Sequence, residues 1–123
     1  MARAVFLSCS RRKVPGRRPL PAIDRYDGPC FRVLRAYLRT FPTEQVYVWI
    51  VSGKYGLING AQPIRNYDNL MTGRRAEQLR KRIADRFRGL WDELPFEEGF
   101  ASLSRDYAHA MCDCWRTLPP GLQ

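Results

Sequence analysis

Long apolar runs are missing from this 123-residue sequence. Nothing in it approaches the ~18 consecutive apolar residues of a membrane-spanning helix, so no membrane partner is expected. Histidine occurs once, as His109, so no Cys-His pair can be assembled without that one side chain. Neither a Gly-x-Gly-x-x-Gly nor a Walker pattern is present; nucleotide-cofactor chemistry has no motif to stand on, and no cofactor is expected. Acidic residues are scarce: 12 Asp and Glu stand against 21 Lys and Arg, a formal net charge of +9. That excess favours a polyanionic partner, nucleic acid first, over the plainer reading that it keeps a small protein soluble. The start, Met1-Ala2-Arg3 running into Ala4-Val5-Phe6-Leu7, is too short for a signal peptide and has no cleavage region, which predicts a cytoplasmic location. In that compartment Cys9, Cys30, Cys112 and Cys114 are expected as reduced thiols. The Cys112-x-Cys114 spacing does not suit the common structural zinc sites, so no metal is expected either.

What is present suits one α/β domain over residues 1–123. Val46-Tyr47-Val48-Trp49-Ile50-Val51 is an unbroken run of β-branched and aromatic residues, the pattern of a strand covered on both faces. It stops at Ser52-Gly53-Lys54-Tyr55-Gly56, where two glycines permit a tight turn and polar side chains sit beyond the carboxyl end of the strand. Ligands bind at that edge in open α/β sheets. The run Ala4 to Leu7 ends likewise in Ser8-Cys9-Ser10 and predicts a second buried strand.

Residues 11–21 hold five cations, Arg11, Arg12, Lys13, Arg17 and Arg18, and three prolines. The prolines exclude a helix and the charges exclude a core role, leaving a solvated loop or a phosphate-contacting arm. Helical spacing follows from Pro29 to near Pro42, with Phe31, Leu34, Leu38 and Phe41 on one stripe. A longer stripe, Ala76, Leu79, Ile83, Phe87 and Leu90 or Trp91, has a basic opposite face that begins at Arg74 and Arg75. Gly99 to Leu103 predicts a third strand, and Ser104 caps a last helix with Tyr107, Ala108, Met111 and Trp115 inward, ended by Pro119-Pro120-Gly121. Strands alternating with helices predict a small three-layer sandwich with a mainly parallel sheet, in strand-helix-strand-helix-strand-helix order. Residues 59–68 form a site loop ending in Asn66-Tyr67-Asp68.

Asp24, Asp27 and Asp68 are the candidate catalytic carboxylates, with Asp27 first. Asp27 and Asp68 also sit where helix caps sit, and Asp24 before Arg25 reads equally as surface charge. A carboxylate beside an aromatic slot suits cleavage of an N-glycosidic bond through a cationic sugar. Tyr26, Tyr55 and Tyr67 adjoin these groups and are placed to stack on a flipped base, with Ser8, Cys9, Ser10, Ser52, Lys54 and Asn66 as further substrate contacts. The cations of the arm, with Arg74 and Arg75, are the expected DNA contacts.

Ser8-Cys9-Ser10 with Lys13, Asp24-x-Tyr26-x-Gly28-x-x-Phe31-Arg32-x-x-Arg35-Ala36-Tyr37, Val51-Ser52-x-Lys54-Tyr55-Gly56-Leu57-Ile58 and Ile64-x-x-Tyr67-Asp68 resemble, in this order, a family of small bacterial and phage α/β proteins of undescribed function. The resemblance implies a uracil-DNA-glycosylase-like fold. It also implies kinship with anti-phage DNA glycosylases acting on glucosylated hydroxymethylcytosine, hence modified phage DNA as the partner. A noncatalytic nucleic-acid-binding module and an N-glycosidase of free nucleosides or nucleotides are the competing expectations, and the sequence does not specify an oligomeric state.

Overall fold

Side chains of the two longest apolar strands alternate between two cores. Ala4, Phe6, Trp49 and Val51 join one, while Leu7, Val48 and Ile50 join the other. In this computed structural model, which describes residues 2–68, 71–93 and 96–117, those strands are β1 (Ala2–Ser8) and β3 (Gln45–Ser52). They pair in parallel with Phe6 opposite Trp49. A further strand, β6 (Glu98–Ser102), runs parallel to β1 along its other edge, and β4 (Gly56–Asn59) folds back antiparallel on β3, giving the order β4-β3-β1-β6. The protein is therefore α/β with a mostly parallel four-stranded sheet.

Two helices lie on the second core. The short α1 (Ala22–Arg25) contributes Ala22, and α2 (Pro29–Thr40) contributes Phe31 and Leu34, as its apolar stripe requires. Pro29 opens α2, where its missing N–H costs nothing. On the first core lies α3 (Gly73–Glu93), which buries Ala76, Leu79, Ile83, Phe87 and Leu90. The last helix, α4 (Arg105–Ala110), adds Ala110 to the same core, and the turn that joins it to a 3-10 segment, Trp115–Thr117, adds Met111 and Cys114. Burial there pushes the Cys114 thiol up to about 12. No helix among the described residues is long and apolar enough to cross a membrane.

Several expectations need correction. The stretch after Ser52 is a hairpin, with Gly56 at φ +77° admitting the reversal into β4, so strands and helices do not simply alternate. The 59–68 loop contains β5 (Pro63–Ile64), which pairs with β2 (Leu20–Pro21). The basic stretch 11–21 is tied down as well. The Val14 N–H donates to the Arg25 carbonyl at 2.8 Å, and the Asp27 N–H donates to the Arg12 carbonyl at 2.9 Å. Arg25 is fully buried; its Nη1 donates to the Val14 carbonyl at 2.6 Å and its Nη2 to the Arg18 carbonyl. Phe41, placed on the α2 stripe by its spacing, is instead 47% exposed beyond the last turn. The Pro119–Gly121 terminator lies outside the described residues.

Candidate functional site

The chain leaves β1 through α1 and α2 on one face of the sheet, and leaves the β3-β4 hairpin through α3 on the other. Adjacent strands whose exits diverge in this way open a crevice at their carboxyl ends. Ser52 stands at the end of β3 in that crevice, wholly buried. Its hydroxyl oxygen accepts the N–H groups of Lys54 and Tyr55, each at 3.1 Å, which closes the turn and occupies both acceptor positions. The Ser52 proton is therefore directed to the Tyr67 hydroxyl, 2.9 Å away. Tyr67 in turn shares a short hydrogen bond with the buried hydroxyl of Tyr26. Three hydroxyls carry three protons, and these two bonds use two of them. One phenolic proton remains available to an acceptor outside the trio. Burial raises the pKa of both Tyr26 and Tyr67 well above the ordinary phenol value, so both stay neutral donors.

Aromatic rings and ammonium groups complete the crevice. The Tyr55 ring meets Tyr67 edge-on at 5.4 Å, and Tyr67 lies nearly perpendicular to Tyr26 at 6.2 Å. Lys13 Nζ sits 4.6 Å from the Tyr67 ring centre, and Lys54 Nζ sits 5.2 Å from that of Tyr55 and 5.5 Å from that of Tyr67. From β1 the Cys9 thiol enters the same cluster, 3.1 Å from the hydroxyl of Tyr107 on α4. Burial foremost, with Cys9 second, raises the Tyr107 pKa. The assembled surface offers N–H and O–H donors beside flat rings, a combination suited to an aromatic ligand rich in acceptors or carrying a phosphate.

The structure sorts the sequence-predicted residues. Cys9, Tyr26, Ser52, Lys54, Tyr55 and Tyr67 converge, joined by Lys13 from the basic stretch. Ser8 and Ser10 are used by the backbone: Ser8 accepts the Ser104 N–H at 3.1 Å, while Ser10 accepts the Gly28 N–H at 3.2 Å and donates to the Arg12 carbonyl at 2.6 Å. Asn66 is exposed. Tyr107, which the spacing placed only in packing, is the residue that sequence reasoning missed.

Asp27 is locked. Arg32 reaches it from Nε at 3.2 Å and Nη2 at 2.9 Å, Arg35 from Nη2 at 2.7 Å, and Arg12 lies 3.7 Å away. The hydrogen bonds from Arg32 and then Arg35 hold its carboxyl at about 2. Neither Asp27 nor Asp68 caps a helix by its side chain. Gly28 is the residue before α2, and the Thr72 hydroxyl accepts the Arg75 N–H at 3.1 Å at the start of α3. Asp24 and Asp68 are exposed, and among the described residues neither has an ion pair. Of the expected DNA contacts, Arg11, Arg17, Arg18 and Arg74 are exposed, while Arg12 faces Asp27. Arg75 instead grips the site turn, donating from Nε to the Gly53 carbonyl at 2.7 Å.

The sequence profile of the Family of unknown function (DUF6884) matches residues 4–98. The chain belongs to this family. The matched span carries every residue of the crevice cluster except Tyr107. No curated protein and no solved structure matches the chain.

Proposed function

We propose that the protein is a DNA glycosylase that excises a modified pyrimidine, glucosylated hydroxymethylcytosine in the first instance, from phage DNA in the cytoplasm as a defence. The reading builds on a three-layer sandwich whose carboxyl edge receives one extruded base. Its carrying observation is the convergence of Tyr26, Tyr55 and Tyr67 with Ser52 and two ammonium groups at the diverging strand ends. The half-buried rings of Tyr55 and Tyr67 stack on the base, while Tyr26, expected from the sequence to stack as well, is fully buried and backs Tyr67 instead. The arginines of the rim take the flanking phosphates, and the unspent phenolic proton with Lys13 and Lys54 meets the acceptors of the departing base. In the reaction the C1′–N bond breaks, the bonding pair leaves with the base, water adds to C1′, and a proton from that water ends on the base. A carboxylate steadies the cationic sugar. Asp68, next to Tyr67 and exposed, has a stronger claim to that task than Asp27, whose charge is already answered by arginines.

The locked Asp27 also favours a second reading, a nucleic-acid-binding module without catalysis. One assay separates them. The protein is incubated with unmodified, hydroxymethylated and glucosylated DNA, and abasic sites are converted to breaks by alkali. Breaks confined to a modified substrate and lost in Asp68→Asn support the glycosylase. Binding without breaks in any substrate leaves the module.

A further inference from the structure

A second basic hollow adjoins the crevice and shares one of its walls. It has a volume of about 330 Å³ and lies against the outer strand β4, lined by Tyr55, Leu57, Ile58, Gln62, Arg82 and Arg86. Tyr55 belongs to both places: one edge of its ring meets Tyr67 at 5.4 Å, and the residue also borders the hollow. Arg82 is oriented by the chain, donating from Nη2 to the Tyr55 carbonyl at 3.3 Å, and among the described residues its other N–H groups have no acceptor. Neither Arg82 nor Arg86 has a carboxylate partner among the described residues, unlike Arg80 on the same helix, which is clasped by Asp113 and Glu77. Gly56, at φ +77°, turns the backbone beside Arg82; a Cβ built there would stand 3.9 Å from Arg82 Nε.

We propose that this hollow is a flanking subsite that takes the sugar-phosphate of the nucleotide next to the one held at Tyr67, so that a single nucleic-acid strand runs across Tyr55. The inference rests on the nucleic-acid reading of the crevice and adds to it a direction of travel, toward β4 and α3. Two guanidinium groups around a small opening match one phosphate with its sugar, and Gln62 offers both a donor and an acceptor. The shared tyrosine provides the step between adjacent units, as stacking rings do in proteins that track a single strand. A peptide added to the open edge of β4 would use the same groove, but it would have no call on two unpaired arginines.

The test uses the full chain with thymidine 5′-monophosphate and oligothymidylates of two, three and five residues as probes. Wild-type affinity is expected to rise from the monophosphate to the longer probes. Arg82→Gln/Arg86→Gln is expected to bind the monophosphate as wild type does but to lose the gain with length, and its salt slope for five residues should be shallower by about 0.7, one single-strand phosphate contact's worth. Arg86→Gln alone, on an exposed helix position, should lose half of that. If the double variant keeps the full gain, the subsite is wrong and the crevice reading stands. If wild type binds none of the probes, the nucleic-acid reading itself falls and takes the subsite with it.

Discussion

Removing the Ser52 hydroxyl should loosen the crevice more than removing any phenol. Ser52→Ala strips the acceptor from the Lys54 and Tyr55 N–H groups, both at 3.1 Å, and the partner from the Tyr67 hydroxyl at 2.9 Å. A buried donor left without a partner costs about 1–3 kcal/mol, and water can reach the exposed Lys54 end of the turn, so the sum falls at about 2–4 kcal/mol. For a domain of this length that is a drop in Tm on the order of 10 °C. Tyr67→Phe removes only two hydroxyl bonds, leaves both amides satisfied, and should cost about 1–2 kcal/mol. Urea unfolding followed by the fluorescence of Trp49, Trp91 and Trp115 reads both. The double variant should cost less than the two singles added, because they share one bond. A Ser52→Ala cost below that of Tyr67→Phe would refute the claim that this hydroxyl organises the turn.

Three further outcomes are expected. Because Asp27 is held at about 2 against an ordinary 3.8, the stability it supplies is complete above pH 4 and fades as pH falls toward 2; Asp27→Asn should lower Tm at pH 7 and flatten the Tm profile across that window. Gly28→Ala would set a Cβ 2.9 Å from that of Ser10, so it should destabilise by about 1–3 kcal/mol in chemical unfolding; a neutral result would mean that the β1 exit has slack. Among the cysteines, iodoacetamide should label Cys30 first, since it is exposed, while Cys9 and Cys114 react only on unfolding, as peptide mapping would show.

The strands and helices that were legible carry long, regular apolar patterns. The run from Val46 marked β3 because every position faces a core, and the α3 stripe survived over 21 residues because burial repeats at each turn. Elements β2 and β5 are two residues each and exist through pairing with one another across distant chain, and β4 is four residues folded straight back on β3, so no local period announces them. The crevice was half visible. Polar residues after a buried strand pointed to Ser52, Lys54 and Tyr55, but Tyr107 lies 98 positions from Cys9 and its spacing said only that it packs. Asp27 misled for a related reason: its neighbours in sequence suggest a cap, while its partners stand one and two turns into α2. Nothing local marks Arg25, which follows the exposed Asp24, as a buried residue; the fold turns it inward to hold two carbonyls of the basic stretch.

The Cys9–Tyr107 contact ties the crevice to the last described helix, and so makes two equilibria one. Helix α4 has six residues, short enough to open on its own, yet its Tyr107 hydroxyl closes on the β1 exit while Met111 and Cys114 sit in the core behind it. Occupation of the crevice by anything that prefers the closed arrangement must then slow amide exchange across residues 105–110, and loss of the Tyr107 hydroxyl must weaken that occupation in proportion to the closed state it depopulates. The end of the fold serves in this way as a gauge of what happens at its strand edge.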